Sequence, residues 1–168
     1  MQARFFAKPL ETLDPALSFP LVRLVEPALG LDEWRSFVAE IKAARHLGGP
    51  MRGGVIVVDK LDYVHGLFCY EAAPDICSGS VLEVDRLIVV DNILDTGAAE
   101  SLLSALETVA HTLFCEKIRI SLPEAWLAAP QSANAISRLL TQAGYVHDAI
   151  AMVKTLKPFK SSGVSLGG

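Results

Sequence analysis

The chain has 168 residues, which is the size of a single domain and enough to bury roughly two thirds of the surface that the unfolded chain exposes. Hydrophobic residues make up 51% and charged residues 20%, a balance typical of a packed globule. The net charge of −4 lacks the basic field with which proteins attract a nucleic acid backbone, so DNA and RNA are not expected partners. No apolar stretch reaches the length needed to span a bilayer, so a membrane is not expected either.

The N-terminal residues contain no apolar core of an export signal. The three cysteines, Cys69, Cys77 and Cys115, lack CxxC or Cys/His spacing, and this argues for reduced thiols rather than a disulfide framework or a zinc site. None of the four histidines forms a ligand pair in the sequence. We therefore expect a cytoplasmic protein without a metal site.

The first predicted elements follow an N-terminal arm, residues 1–19. Prolines and weak periodicity in this region favour an arm that precedes a short first strand at Pro20–Val25. Asp32 offers an N-cap for a helix whose apolar residues recur at spacings of three and four, and the Gly-Gly-Pro of residues 48–50 ends it.

Next comes a predicted β-hairpin, in which Gly54–Asp59 and Val64–Glu71 flank a turn at Lys60–Asp62. Val81–Val90 is a third strand. By the period of two, one of its faces is predicted to carry four side chains: Glu83, Asp85, Leu87 and Val89. Two carboxylates are thus expected side by side.

Gly97–Cys115 is the clearest predicted helix, because it has one apolar and one polar stripe. A strand at Lys117–Leu122, a helix that ends at Gly144 and a last strand at Ala149–Leu156 follow. The order of elements implies a mixed sheet with helices on both faces. We assign residues 20–158 to one domain and residues 159–168 to a flexible tail.

The segment Val89–Ala99 joins a strand to the clearest helix through small residues. The first turn of a helix has unpaired N–H groups and a partial positive charge, so small residues there let a phosphate approach closely. Small residues also open helices for packing reasons alone, and both explanations stay open.

The order of elements resembles the GNAT acyltransferase superfamily, whose pyrophosphate loop reads Gln/Arg-x-x-Gly-x-Gly/Ala at this junction. The same positions here read Leu94-Asp95-Thr96-Gly97-Ala98-Ala99. The stretch from Ala133 to Leu156 is similar to the closing helix, Gly-aromatic turn and last strand of that family. The resemblance covers residues 20–156 and implies an α/β fold with a mixed, mostly antiparallel central sheet flanked by helices.

The resemblance also implies acetyl-CoA as co-substrate and transfer of the acetyl group to an amine. In that family pantetheine would lie along Leu87, Ile88 and Val89. The pyrophosphate would lie on the backbone amides of Asp95, Thr96, Gly97, Ala98 and Ala99. Leu94 stands where Arg or Gln is usual, and Leu140 stands where the family has a Tyr that protonates the departing thiolate.

An amine with a pKa near that of lysine, ~10.4, must lose a proton before it attacks a thioester, so a base is useful. By its position in the family pattern Asp85 is the first candidate and Glu83 the second. The alternative is that both carboxylates are solvated or pair with Arg86 and Arg119.

The acceptor would be a small-molecule or protein amine, and its identity does not follow from the sequence. A catalytically inactive GNAT-like binding or regulatory module is the alternative function, and an interaction domain without coenzyme is the third. The oligomeric state is open, with a homodimer among the alternatives.

Overall fold

Among the residues that the structure describes, five β-strands form one sheet in the order β1-β2-β3-β4-β5. The computed structural model describes residues 5–46, 51–77, 79–90, 97–122 and 132–146. The strands are β1 Phe6–Pro9, β2 Arg52–Val58, β3 Val64–Asp75, β4 Gly79–Val89 and β5 Lys117–Ile120. The first four strands pair antiparallel, and β4 and β5 pair parallel. The predicted mixed, mostly antiparallel sheet is therefore confirmed.

In the described ranges four α-helices cover this sheet, two on each face. They are α1 Pro15–Val25, α2 Leu31–His46, α3 Gly97–Thr112 and α4 Ser132–Gln142. Because side chains alternate along a strand, β2 sends Ile56 and Val58 into the core beneath α1 and α2, and Val55 and Val57 into the core beneath α3 and α4. The β-branched run that predicted this strand is thus buried on both sides.

The first predicted strand, Pro20–Val25, is wrong, because these residues form the second half of α1. Asp14 caps the helix by accepting a hydrogen bond from the N–H of Ala16 at 2.9 Å, and Pro15 occupies the first turn, where its missing N–H costs nothing. Pro20 lies inside the helix. The burial of the apolar face outweighs the hydrogen bond that this proline removes.

The residues assigned to an arm also supply regular structure. β1 pairs with β2, and Leu10 is buried in the core beneath α1 and α2. The predicted N-cap of the second helix is wrong by two residues: Gly30 precedes the helix, and Glu33 accepts the N–H of Gly30 at 2.8 Å.

The hairpin, the strand at β4 and the helix at α3 are confirmed within a few residues of their predicted bounds. The predicted last strand, Ala149–Leu156, and the tail lie outside the described residues. In the part of the chain that is described, no helix combines the length and apolar character needed to cross a membrane.

The core beneath α3 gives a direct test of the fold. Leu106 is fully buried against the sheet, so Leu106→Ala leaves a cavity and should lower the free energy of unfolding by about 3 kcal/mol. Leu61→Ala is the matched control, because Leu61 is 76% exposed and its loss should change stability by less than about 0.5 kcal/mol. Urea unfolding measures both, and equal effects would contradict this packing.

Candidate active site

β4 carries one residue more than the strand it pairs with. Cys69 of β3 lies opposite Arg86, and Tyr70 lies opposite Val84, so Asp85 has no partner in β3. This arrangement is a β-bulge, which bends the strand and places two neighbouring side chains against one partner. Asp85, the first candidate base, is therefore the bulged residue.

The bulge changes which side chains share a face. Val84 and Leu87 both pack in the core beneath α3. They are three positions apart, and in a regular strand an odd spacing would put them on opposite faces. Glu83 precedes the bulge and faces the opposite side of the sheet from Leu87 and Val89. The prediction that Glu83, Asp85, Leu87 and Val89 share one face is wrong, because one extra residue reverses the alternation.

The pairing of β4 with β5 ends directly before the bulged residue, Asp85. Their parallel pairing runs from Val81 to Val84, which lies opposite Ile120, and the N–H of Ser121 still donates to the carbonyl of Val84 at 2.8 Å. In the described ranges β4 continues from Asp85 to its end without a pairing to β5. Among the described residues, therefore, no strand pairs with the second half of β4 on its β5 side, and we call this side of β4 the gap.

The backbone of β4 presents polar groups to this gap. The N–H of Val90 donates to the carbonyl of His65 at 2.8 Å, which fixes the phase of hydrogen bonding with β3. In an antiparallel pair, residues that bond to the neighbour alternate with residues that face away. Ile88 thus bonds toward β3, whereas the N–H and C=O groups of Leu87 and Val89 point into the gap.

Side chains from β4, α3 and α4 close the inner side of the gap. They enclose a small apolar pocket lined by Leu87, Val89, Ala99, Leu102, Leu103, Ile136, Leu139 and Leu140. Three predicted coenzyme residues, Leu87, Val89 and Ala99, are thus brought together. Leu140, at the position of the family's Tyr, is 8% exposed and fills the core.

The other predicted coenzyme residues lie elsewhere or are not described. The side chain of Ile88 is buried in the core beneath α1 and α2. Gly97 begins α3, and the side chain of Ala98 is buried beneath that helix. Asp95 and Thr96 lie outside the described residues. Burial of Ala98 supports a packing role for its side chain and leaves only its backbone for a ligand.

Both candidate bases are held in ion pairs. The carboxylate of Asp85 contacts the guanidinium of Arg86 at 2.7 Å, and Glu83 pairs with Arg119. Arg119 also reaches Asp75 at 3.4 Å, and its pKa is raised by the hydrogen bond to Glu83 and by the two nearby carboxylates. The ion-pair partners considered for these carboxylates, Arg86 and Arg119, are the ones observed, and the role of each carboxylate stays a prediction.

An Asp–His pair lies in the β2–β3 turn, next to the end of β4. Asp59 Oδ2 lies 3.0 Å from His65 Nε2, and the other oxygen of the same carboxylate accepts the N–H groups of Leu61 and Tyr63. The hydrogen bond to His65 lowers the pKa of Asp59. Sequence reasoning missed this pair, although an Asp and a His that flank a predicted hairpin turn were a usable signal.

A larger groove of about 740 Å³ lies on the other flank of α3. Its walls are β1 and the small and hydroxyl-bearing side chains of α3, including Gly97, Ser101 and Ser104. The α3 residues of the apolar pocket, Ala99, Leu102 and Leu103, lie on a different face of the helix. The groove and the apolar pocket therefore lie on different faces of α3.

A buried phenol follows α4. The hydroxyl of Tyr145 is buried without a hydrogen-bond partner among the described residues, and Tyr145 packs against the core beneath α3. Burial, and to a smaller extent the charge of Glu107, raise the pKa of Tyr145. Tyr145 is the aromatic residue of the predicted Gly-aromatic turn. No group of three or more His, Cys, Asp or Glu side chains is placed to hold a metal ion in the ranges described.

Solved structures share this architecture over nearly their whole length. An aminoglycoside N-acetyltransferase, AAC(6')-Iy in complex with CoA, superposes with a TM-score of 0.68 at 15% identity, covering 95% of this chain and 98% of that one. Ribosomal-protein-alanine N-acetyltransferase from Brucella melitensis biovar Abortus 2308 gives 0.65 at 16% identity, covering 90% and 99%. Glucosamine-6-phosphate N-acetyltransferase from Arabidopsis thaliana gives 0.63 at 10% identity, covering 91% and 99%.

No protein-family model and no curated protein sequence matches the chain. At these identities the likeness is one of fold, and the fold is that of the GNAT acetyltransferases. The predicted GNAT fold is therefore confirmed. Activity and substrate require a separate argument.

The Asp59–His65 pair should be visible in acid unfolding. Because the pKa of Asp59 is lowered in the folded chain, its carboxylate stabilises the fold above the unfolded value near 3.8, and this contribution is lost as the pH falls through the lowered value. Asp59→Asn should therefore reduce the melting temperature at pH 6, and the difference from wild type should shrink below pH 4. Asp32→Asn, at a carboxylate that is almost fully exposed, is the control. A difference that is independent of pH would contradict the assignment.

Proposed function

We propose that the protein is an N-acetyltransferase that binds acetyl-CoA in the gap between β4 and β5. The observation that carries the proposal is the pair of outward-facing backbone groups at Leu87 and Val89, at the point where the two strands separate. A thioester coenzyme with amide groups in its pantetheine arm matches such a strand edge, because it can pair with it as another strand would. Solved structures of the same fold include an acetyltransferase in complex with CoA.

In this proposal the coenzyme runs from the bulge toward the N-terminal end of α3. Pantetheine lies along Leu87, Ile88 and Val89, with the hydrogen bonds made by the first and last of these. The pyrophosphate lies on the amides of Asp95, Thr96, Gly97, Ala98 and Ala99. The N-terminal end of a helix of 16 residues favours a negative charge, and this partly offsets the acidic Asp95.

The reaction is direct transfer. Asp85 accepts a proton from the acceptor ammonium, and the free amine attacks the thioester carbonyl carbon. A C–N bond forms and the C–S bond breaks, so that the electron pair leaves with sulfur as the CoA thiolate. The second amine proton is lost as the tetrahedral intermediate collapses, and the products are an acetamide, CoA thiol and one proton released to solvent.

Leu140 affects only the last proton transfer. Since this side chain fills the core, it provides no proton donor for the departing sulfur. A thiolate with a pKa near that of cysteine, ~8.5, leaves partly unprotonated and takes its proton from water. The absence of a Tyr at this position therefore slows the step without preventing it.

The acceptor is a cationic amine, on a small molecule or a protein. Asp85 and Glu26 both face the α1–α2 side of the bulge, where Arg86 contacts both carboxylates. An ammonium group approaching this side meets carboxylate oxygens that remain partly exposed. We also propose a cytoplasmic setting, because Cys69, Cys77 and Cys115 are all free thiols.

Coenzyme binding is tested by calorimetry. Acetyl-CoA should bind saturably to the wild-type protein, and Gly97→Glu should abolish the binding, because it adds bulk and negative charge at the start of α3. Ser104→Glu is the matched control, with the same charge about two turns further along α3 and away from its N-terminal end, and it should bind normally. No binding to the wild type at millimolar acetyl-CoA would contradict the proposal.

Catalysis is tested by release of free thiol in the presence of a panel of amines. Asp85→Asn should lower kcat by roughly 100-fold, as expected for loss of a general base, with little change in acetyl-CoA affinity. Glu83→Gln, which removes the carboxylate paired with Arg119, should have a smaller effect. Coenzyme binding without thiol release for any amine would point instead to an inactive binding module.

A further inference from the structure

Arg86 connects two parts of the chain that are distant in sequence. Its Nε donates to Oε1 of Glu26 at 2.9 Å, and its Nη1 donates to Oδ2 of Asp85 at 2.7 Å. Neighbouring side chains of a regular strand point to opposite faces, so Asp85 and Arg86 would not ordinarily meet. The bulge places both on the same side of the sheet and makes this contact possible.

An aromatic ring lies beneath the guanidinium of Arg86. Its Cζ lies 5.3 Å from the centre of the Phe37 ring, within the range of a cation–π contact. Phe37 in turn stacks on Trp34 with ring centres 5.5 Å apart, and the indole N–H of Trp34 donates to the buried hydroxyl of Ser18 at 3.1 Å. Arg86 is therefore held on a fixed surface of α2 and α1.

The other partner, Glu26, lies where α1 ends. Its N–H donates to the carbonyl of Val22 at 2.9 Å and closes the helix, and its carbonyl accepts the N–H of Leu29 at 3.1 Å in the turn toward α2. One guanidinium thus joins the α1–α2 turn to the bulged carboxylate. A planar guanidinium can do this because it has several donors in fixed directions, whereas an ammonium acts as a point charge.

We propose that Arg86 is a positioning residue, which holds the carboxylate of Asp85 and the α1–α2 turn in one fixed arrangement around the acceptor amine. The inference rests on the proposed function, because it takes Asp85 as the base. Arg86 contacts the carboxylate of the base and takes no part in the proton transfer or in the attack on the thioester. Its contribution is the orientation of the base and of the turn beside it, and small misplacements of catalytic groups cost large factors in rate.

The chain offers a matched control in Arg52. Its guanidinium lies over the same Phe37 ring, at 6.0 Å, but its ion-pair partner is Glu71, at 3.8 Å. Arg52→Met therefore removes a cation from the same aromatic surface and leaves the contacts of Arg86 with Asp85 and Glu26 in place.

The experiment compares Arg86→Met, Arg86→Lys, Glu26→Gln and Arg52→Met by steady-state kinetics and by amide hydrogen exchange. Arg86→Met should lower kcat about tenfold or more and leave the KM for acetyl-CoA within about twofold. The amides of Glu26, Ala28, Leu29 and Gly30 should exchange faster in Arg86→Met and in Glu26→Gln. Arg86→Lys should recover part of the loss in kcat. In the double variant Arg86→Met/Glu26→Gln, the fold-loss in kcat should be smaller than the product of the fold-losses in the two single variants.

The outcomes separate this inference from the proposed function. A wild-type protein that transfers no acetyl group overturns the proposed function, while the exchange measurement still decides whether Arg86 fixes the turn. Unchanged exchange in Arg86→Met, or an equal loss of kcat in Arg52→Met, overturns the positioning role. Should Arg86→Met fail to fold, Arg86→Lys and Glu26→Gln decide, because both keep most of the side-chain volume.

Discussion

β4 contributes side chains to the cores on both faces of the sheet, and its second half is unpaired on the β5 side among the described residues. Leu82 and Val84 in its first half, and Leu87 and Val89 in its second half, all pack beneath α3, while the same strand loses its parallel neighbour midway. The extra residue at Asp85 reconciles these demands, because it bends the strand and resets the alternation of its side chains. The pairing with β5 ends at this point, and the contact between Asp85 and Arg86 on the other face depends on it.

The extra residue at Asp85 also explains why the apolar pocket and the charged side chains lie on opposite faces of β4. Leu87 and Val89 contribute backbone to the gap and side chains to the apolar pocket beneath α3. Asp85 and Arg86 lie on the opposite face, against α1 and α2. In the proposed reaction the coenzyme and the acceptor amine therefore approach the bulge from different sides.

Much of this architecture follows from local patterns in the sequence. The hairpin, β4 and α3 could be predicted because their apolar periods and turn residues agree with the tertiary structure. The bulge at Asp85 could not, since it depends on the register against β3 and the β4 sequence reads as a regular strand. α1 was missed because Pro20 is a strong local signal against a helix, while the burial that outweighs it is a tertiary effect. The ion pairs of Glu83 and Asp85 were foreseen only as one of two alternatives.

The pairing pattern of the sheet also bears on how the chain folds. β2, β3 and β4 are joined by short turns, so their pairing closes small loops at a low cost in chain entropy. β1 reaches β2 only across two helices, and β5 reaches β4 only across α3. We expect the three-stranded meander to form early and the divergent end of β4 and β5 to close last. The gap would then belong to the least stable part of the sheet. A ligand that binds there would raise the free energy of unfolding of the part of the chain that folds last.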